Sequence, residues 1–269
     1  MRYVRDHDYH LHSHLSLCSG DPEQTPERIL RYAREYGLKS VCLTDHYWDE
    51  AVPGASDWYK VQDTAHIRQA LPLPQDENIR FYFGAEIDMD RNRTIGLTLE
   101  HFDNFDFVVI PTTHLHMMGF TLTEEQGATL ESRAGLWIDR FDYLLRQPLP
   151  FYKIGIAHLT CSLIAPGPRE NFRKVLNMIT DRQMEDLFSG AREVGMGIEL
   201  NGDDMMHMED DGIDTILRPY RIAKEQGCKF YLGSDGHRAD EMEGAQEPFE
   251  RAIDLLGLEE SDKFHIGVR

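Results

Sequence analysis

The sequence has few cysteines and no long apolar run, and each shortage excludes a class of protein. The 4 cysteines stand at positions 18, 42, 161 and 228 without CxxC spacing, and Cys42 and Cys228 lie in or beside apolar runs. This predicts reduced thiols in a cytoplasmic protein rather than a disulfide framework. The first residues contain no apolar signal segment, and no uncharged apolar run reaches the roughly 18 residues that a membrane span needs. We therefore expect neither export nor membrane insertion.

Positive charge is also scarce. The chain has 28 Lys and Arg residues against 47 Asp and Glu residues, a formal net charge of −19 at pH 7. Nucleic-acid binding depends on cationic side chains that displace counterions from phosphates, so a polynucleotide partner is disfavoured. Bound divalent cations would offset part of the negative charge. No Walker A or GxSxG string occurs, and the GMG at 195–197 precedes a strand-like run, so it is not a dinucleotide-binding loop.

Apolar strand-like runs alternate with helical patterns along the chain. The runs are SVCLT, RFYFGAEI, DFVVIPT, FYKIGIA, GMGIEL and KFYLG. Helices are predicted at residues 25–36, 57–71, 94–101, 124–147, 180–194, 213–226 and 248–256, with Thr25 as an N-cap before Pro26 and with Thr180 and Gln183 as a capping box. This alternation predicts an α/β fold with a parallel sheet buried on both faces. No linker divides the 269 residues, so we predict a single domain over residues 1–269.

Histidines and carboxylates begin or follow most of these runs. They are His10, His12, His46, Glu86, His114, His158, Glu199, Asp235 and His237. Zn²⁺, Mn²⁺ and Fe²⁺ take imidazole and carboxylate ligands from proteins, and this set exceeds what one ion needs. In a parallel β/α barrel the loops after the strands gather on one face, so these residues can meet there. One such residue alone is as often a helix cap, but their recurrence favours a multinuclear metal site and therefore a hydrolase.

The order of these motifs resembles that of the PHP (polymerase and histidinol phosphatase) superfamily, in a layout similar to its stand-alone histidinol phosphatases. The resemblance rests on DYHLHS, LTDH, GAEID, the histidine after FVVIPTT, IAHLT, IELNG and GSDGHR. It implies a distorted seven-stranded, TIM-like parallel β/α barrel with two to three divalent metal ions, which are zinc, iron or manganese. The first ion would be held by His10, His12, Glu86 and Asp235. Glu86 would bridge to a second ion at His114 and His158, and a third would bind His46 and His237.

One position departs from the pattern of the superfamily. Cys18 stands where members usually have a third-site His, Asp or Glu. A Cys18 thiolate would still bind zinc, and Asp21 or His14 are nearby substitutes; otherwise the third site would be weak or empty. His116 forms a second HxH pair with His114 and is an alternative ligand or proton donor.

The resemblance implies hydrolysis of a small phosphorylated metabolite, with histidinol phosphate as a candidate, by a metal-bridged hydroxide. The expected catalytic residues are Glu86, Asp235, His237 and Arg238, and Arg238 is the first choice to clamp the phosphate, ahead of Arg169, Arg173 and Arg218. The acidic cluster of residues 203, 204 and 209–211 is either a solvated loop or a contact for a substrate amine. A hydrolase of another bond type, phosphodiesterase or amidohydrolase-like, and a non-catalytic metal-binding module remain as alternatives. The sequence does not give the oligomeric state.

Overall fold

The computed structural model describes residues 1–268. Its strands are β1 (His7–Leu11), β2 (Ser40–Leu43), β3 (His46–Tyr47), β4 (Arg80–Ile87), β5 (Phe107–Pro111), β6 (Ile154–Ala157), β7 (Gly197–Asn201) and β8 (Lys229–Gly233). Its α-helices are α1 (Pro26–Glu35), α2 (Thr64–Ile67), α3 (Leu130–Leu145), α4 (Glu170–Met178), α5 (Asp181–Val194), α6 (Gly202–Met206), α7 (Met208–Asp211), α8 (Ile213–Glu225), α9 (Ala239–Gly244) and α10 (Gln246–Leu256). Short 3₁₀ helices cover Arg68–Ala70, Glu100–Asn104, Phe151–Lys153, Ser162–Ile164 and Glu260–Asp262.

The strands form a parallel sheet in the order β1-β2-β4-β5-β6-β7-β8, and β3 also pairs with β4. Leu43 of β2 lies opposite Phe83, and His46 of β3 lies opposite Glu86, so β2 and β3 share one register against β4. They are one barrel strand interrupted at residues 44 and 45. The sheet then closes on itself, because the backbone N–H of Asp235 donates to the carbonyl of His10 at 2.8 Å. Seven parallel strands thus form a nearly closed, TIM-like α/β barrel, which confirms the predicted fold class.

The barrel interior is filled by aromatic side chains from several strands. The ring of Tyr9 on β1 lies 5.9 Å from that of Phe107 on β5 and 6.4 Å from that of Tyr231 on β8. A second core lies between the barrel and its helices, where the ring centroids of Phe141 on α3 and Phe188 on α5 are 5.6 Å apart. These two layers bury both faces of the strands, as the apolar runs predict.

Several helices begin and end where the sequence predicts. Thr25 caps α1 ahead of Pro26, and Thr180 with Gln183 forms the capping box of α5. The helices α8 and α10 lie within two residues of their predicted ranges, over Ile213–Glu225 and Gln246–Leu256. None of the helices described over residues 1–268 is both long and apolar enough to cross a membrane. All four cysteines are free thiols.

Three predicted helices differ from those observed. The range 57–71 contains only α2 and one 3₁₀ turn, because Asp63 accepts from the backbone of His66 and starts the helix there. The range 94–101 begins as an extended bridge between Met89 and Ile95. The range 124–147 is helical only from Leu130, after the N-cap Thr129. The helices α4, α6, α7 and α9 are not predicted from the sequence.

Candidate metal centre

All the predicted ligands except Cys18 meet in four overlapping groups at the C-terminal ends of the strands. The groups are His10, His12 and Glu86; His10, His158 and Asp235; Glu86, His114 and His158; and His12, His46 and His237. Within each group the ligand atoms lie within 4.8 Å of one another. The overlap of the groups creates one continuous centre, because His10, His12, Glu86 and His158 each belong to two of them.

Glu86 lies in the middle of this centre, and its two carboxylate oxygens face different histidines. Its Oε2 lies 3.0 Å from Nδ1 of His46 and 3.3 Å from Nε2 of His12. Its Oε1 lies 3.3 Å from Nε2 of His158 and 3.8 Å from Nε2 of His114. The side chain is only 1% exposed, and Oε1 has no hydrogen-bond partner. A buried carboxylate that offers each oxygen to a different pair of imidazoles has the geometry of a bridging ligand.

Asp235 provides a second two-sided carboxylate. Its Oδ1 lies 3.1 Å from Nε2 of His12, and its Oδ2 lies 3.5 Å from Nε2 of His158. Both Asp235 and His158 have left-handed backbone, with φ values of 56° and 43°. This conformation costs free energy for residues other than glycine and is found at sites where function fixes the side-chain direction. The strain aims both side chains at the centre.

Hydrogen bonds behind the ligands fix which imidazole nitrogen faces inward. Nδ1 of His10 donates to Oε1 of Glu199 at 2.7 Å, and the backbone N–H of His158 donates to Oε2 of Glu199 at 2.9 Å. Glu199 therefore lies behind the centre and supports two ligands, although its place at a strand end suggested a ligand. Because its Nδ1 carries the proton, His10 presents the lone pair of Nε2 to the other ligands.

Two further ligands are oriented in the same way. Nδ1 of His12 donates to Oγ of Ser16 at 2.8 Å, because that hydroxyl donates in turn to Asp45 at 2.7 Å. Nδ1 of His114 lies 3.0 Å from Oδ2 of Asp88, a buried carboxylate that also accepts from the hydroxyl of Tyr59. Sequence reasoning missed Ser16, Tyr59 and Asp88 in these roles. Only Asp88 left a signal, because it stands two residues after Glu86 on the same strand side.

The carboxylates and imidazoles of the centre shift one another's pKa. Burial alone would raise the pKa of Glu86, but the imidazoles of His46 and His10 outweigh it and hold that pKa well below its ordinary value. Burial would lower the pKa of His158, but Glu86 and Asp235 raise it to about 9. These carboxylates therefore stay ionised and share protons with the imidazoles. A divalent cation can replace those protons, because it supplies positive charge at the same place.

The residues present fit divalent metal ions. The inward-facing atoms are imidazole nitrogens and carboxylate oxygens, which Zn²⁺, Mn²⁺ and Fe²⁺ bind. The unpartnered Oε1 of Glu86 is a buried acceptor that a cation would satisfy. The first three groups contain all six residues expected at the first two ions, although one group joins His158, expected at the second ion, to His10 and Asp235. The fourth group brings His12 to His46 and His237.

Cys18 lies at the edge of the fourth group. Its Sγ is 2.9 Å from Nε2 of His237, whose Nδ1 is 2.8 Å from the carbonyl of Asp235. Loss of hydration raises the pKa of Cys18 to about 12, so it is a thiol at neutral pH when no cation is bound. The substitutes considered for Cys18 are held elsewhere. Asp21 accepts from Arg28 at 2.7 Å, and Nδ1 of His14 lies 3.3 Å from the carbonyl of Gln24.

Two cavities open from the centre. The larger has a volume of about 530 Å³ and is lined by Cys18, His46, Ser56, Trp58, Tyr59, Glu86, Asp88, His114, His116, Met117, Phe120, Leu163, Asp235 and His237. The smaller has a volume of about 230 Å³ and is lined by His158, Cys161, Ser162, Leu163, Asn201, Asp203, Met206, Ser234, Asp235, His237 and Glu241. Neither lining contains an arginine or a lysine from residues 1–268. Both linings include Leu163, Asp235 and His237, so the cavities are neighbours.

The arginines that the sequence suggests for phosphate binding form contacts outside these two cavities. Arg238 is exposed, and its guanidinium lies 3.2 Å from Asp240 and 2.9 Å from Glu241. Its phosphate contact stays a prediction, and it requires the side chain to leave both ion pairs. Arg173 donates to the carbonyl of Asp210 at 3.4 Å.

Two other arginines have structural partners. Arg169 pairs with the buried carboxylate of Asp211 at 2.5 Å. Arg218 donates to the carbonyl of Leu176 at 3.2 Å and pairs with Asp181 at 2.7 Å, so it joins the end of α4 to the start of α5.

The acidic cluster after β7 does not act as one solvated loop. Asp203 lines the smaller cavity and is half exposed. Asp204 is buried and accepts from Oγ1 of Thr160 at 2.8 Å, and Tyr220 lies 3.4 Å away. Of these two carboxylates only that of Asp203 lies where it can contact a substrate, so the cluster is not a single amine contact either.

Comparisons with known proteins identify the family. The PHP domain model matches residues 8–201. A "probable phosphatase" of Thermoanaerobacter sp. (strain X514) is 25% identical over 233 residues, which are 86% of this chain and 78% of that protein. The histidinol phosphate phosphatase HisK of Lactococcus lactis subsp. lactis Il1403, solved with zinc, L-histidinol and phosphate, has a TM-score of 0.55 at 17% identity and covers 92% of this chain and 93% of its own.

A second solved structure shows the same fold. It is a candidate histidinol phosphatase, HisK, of Listeria monocytogenes, with a TM-score of 0.61 at 13% identity over 87% of this chain and 96% of its own. The family model spans most of the chain, over the strands that carry six of the inward-facing ligands, His10, His12, His46, Glu86, His114 and His158. The chain belongs to the PHP domain family.

Proposed function

We propose that this protein is a metal-dependent phosphatase that hydrolyses small phosphomonoesters. The observation that carries the proposal is the two-sided carboxylate of Glu86, which faces His12 and His46 with one oxygen and His114 and His158 with the other. The names of the Thermoanaerobacter relative and of the Lactococcus HisK structure support the reaction type.

The chain's own residues determine which charge the substrate meets. Because no arginine or lysine of the described chain lines either cavity, most of the positive charge that a phosphate needs would come from bound cations. Divalent ions supply that charge when bound, and they lower the pKa of coordinated water to about 7. Their ligands would be the groups around Glu86 and, for a third ion, His46 and His237 with Cys18 beside them. Burial excludes bulk water from Glu86 and the imidazoles around it and strengthens their electrostatic contacts.

Protonation of the leaving alcohol needs a group that is not held as a ligand. His116 lines the larger cavity with its ring 5.2 Å from that of His114, and it belongs to none of the four groups. Partial loss of hydration beside the cavity and then the neighbouring His114 lower its pKa to about 4. A phosphate dianion beside it would raise that pKa by favouring the charged form. We therefore assign His116 as the proton donor.

Histidinol phosphate is the first substrate to test, since Asp203 of the smaller cavity offers a carboxylate to its amine. The protein should be loaded with zinc or manganese and assayed on phosphomonoesters, a phosphodiester and an amide. Monoester hydrolysis that Glu86→Gln abolishes supports the proposal, with Glu185→Gln on the outer face of α5 as the matched control. Activity confined to diesters or amides, or metal binding without activity, would contradict it.

The amine contact has its own test. Asp203→Asn should lower kcat/KM for histidinol phosphate by roughly three- to tenfold, because a charge-assisted contact is weakened by partial exposure. An amine-free phosphomonoester should change far less, and the matched variant Asp210→Asn should affect neither substrate. Equal losses on both substrates would leave Asp203 without a part in recognition.

A further inference from the structure

We propose that the organic group of the substrate lies against an aromatic wall formed by Trp58, Tyr59 and Phe120, so that the protein prefers phosphomonoesters whose alcohol carries an uncharged planar ring. This inference rests on the proposed phosphatase function and adds the substrate class. The acidic contacts of the smaller cavity do not depend on it.

The aromatic wall adjoins the metal centre directly. The indole of Trp58 lies 5.0 Å from the imidazole of His46, and the ring of Tyr59 lies 4.7 Å from Trp58. Phe120 continues the wall at 5.3 Å from Tyr59. Trp58 and Phe120 are only partly buried, whereas Tyr59 is fully buried and anchored to Asp88. The two outer rings therefore offer apolar surface to the cavity.

Two separate loops build the aromatic wall. Trp58 and Tyr59 come from turns after β3, in the range where a helix was predicted, and Phe120 comes from the loop between β5 and α3. Beneath them Trp48 packs against Phe120 at 5.3 Å, and it is almost fully buried. A packed aromatic layer that supports partly exposed rings beside the metal centre is typical of a preformed binding surface.

The larger cavity connects the aromatic wall to the ligands. Glu86 and His114 line it on the side of the metal centre, and Met117 and Leu163 add apolar side chains to its lining. A phosphate at the ions would direct its alcohol into this space, which at about 530 Å³ holds a ring with its linker. The smaller cavity, at about 230 Å³, is lined by Asp203 and Glu241 and suits a polar or cationic group instead. An uncharged ring therefore belongs in the larger cavity.

The selectivity between two esters of similar leaving-group acidity tests the inference. We would compare kcat/KM for 2-phenylethyl phosphate and propyl phosphate in the metal-loaded protein. Burial of a ring of this size is expected to favour the phenylethyl ester by roughly ten- to a hundredfold. Trp58→Ala should bring the ratio close to one, and Trp58→Phe should retain most of it. Met178→Ala, a change of an exposed apolar side chain on α4, is the control and should leave the ratio as it is.

A binding measurement separates failure of this inference from failure of the proposed function. Calorimetric titration of benzylphosphonate and methylphosphonate into the same metal-loaded proteins requires no turnover. Tighter binding of the benzyl compound that Trp58→Ala removes supports the wall even if no ester is hydrolysed, a result that would reject the phosphatase function alone. Equal affinities in the wild type, or a preference that both Trp58→Ala and Phe120→Ala leave unchanged, would overturn the inference. Circular dichroism checks that each variant is folded.

Discussion

Nδ1 of His10 donates to the carboxylate of Glu199 at 2.7 Å, and both side chains are fully buried. The same carboxylate accepts the backbone N–H of His158 at 2.9 Å and lies 3.1 Å from Nδ2 of Asn201. One side chain on β7 thus contacts candidate ligands on β1 and directly after β6. Because supporting hydrogen bonds hold the tautomer and direction of a ligand, we expect Glu199 to affect metal binding without contacting a metal ion.

The first prediction follows from this contact. Glu199→Gln keeps the size of the side chain but places an amide where the carboxylate accepts three N–H groups, so one donor is left unpaired. We expect metal affinity to fall by roughly ten- to a hundredfold, measured by competition with a chelator. Glu193→Gln, on the exposed end of α5, is the matched control. Equal affinity in the Glu199 variant and the wild type would show that the contact only stabilises the fold.

The second prediction concerns Cys18 and its pKa of about 12 in the metal-free protein. A cation at His46 and His237 must displace the thiol proton before the sulfur can bind, so retention of the third ion should rise with pH. Cys18→Ser should weaken retention after dialysis and flatten this pH dependence, and Cys18→His should strengthen retention. Metal content at pH 6.5 and 8.5 measures both effects. If neither substitution alters it, Cys18 lies outside the coordination shell.

The third prediction is a pH-dependent stability difference at Asp204. Burial raises the pKa of this carboxyl to about 7, so the folded state holds its proton more tightly than the unfolded state does. Stability from this group is fully present below the unfolded pKa of about 4 and is lost as pH rises through about 7. Asp204→Asn keeps an acceptor for Thr160 without the charge. It should therefore raise Tm relative to wild type at pH 8.5 but not at pH 4.5.

Asp203→Asn is the control for this measurement, because its side chain is half exposed. The full pKa difference corresponds to at most roughly 4 kcal/mol, and relaxation of the site will reduce it. A lower Tm for Asp204→Asn at both pH values would mean that the charged form is stabilised in the folded protein, against this account.

The fourth prediction concerns Arg140, a buried cation whose guanidinium donates to backbone carbonyls. Its guanidinium contacts the carbonyls of Met89, Asp90, Thr112 and Thr121, at 2.5 to 3.1 Å. It thereby ties the loop after β4 to the loop after β5. Arg140→Met leaves these buried carbonyls unpaired and should cost about 3–5 kcal/mol of unfolding free energy.

Arg146, the C-cap residue of the helix α3 that carries Arg140, provides the matched control. It forms an exposed ion pair with Asp142 at 2.7 Å, and Arg146→Met should cost less than about 0.5 kcal/mol. Denaturant unfolding of both variants measures the difference. Similar small losses of unfolding free energy in both variants would show that water replaces the contacts of Arg140 with the carbonyls.

The sequence predicts the elements whose signals are local. The capping box of Thr180 and Gln183 marks the start of α5, and the apolar runs mark the strands because parallel strands are buried on both faces. The sequence predicts a helix over residues 57–71 because the apolar residues there have helical spacing, and this prediction is wrong for most of the range. Trp58 and Tyr59 instead pack around His46 and Phe120, a tertiary contact that no local pattern encodes.

The candidate site likewise contains residues that the sequence predicts and residues whose roles only the structure reveals. His10, His12, Glu86 and Asp235 were predicted from ligand chemistry at strand ends, and the structure brings them together. The roles of Ser16, Glu199 and Arg140 depend on distances between strands or loops that only the folded chain defines. Arg238 is the opposite case. Its place directly after His237 predicts a phosphate contact, but in the structure its side chain pairs with Asp240 and Glu241.

The metal content of Glu86→Gln tests the central claim most directly. Wild-type protein purified without added metal should contain about two to three divalent ions per chain by mass spectrometry. Because both oxygens of Glu86 face ligand groups, Glu86→Gln should lose bound metal while Glu185→Gln retains it. An unchanged metal count in Glu86→Gln would contradict the account, since it would show that the most central carboxylate of the site binds no ion.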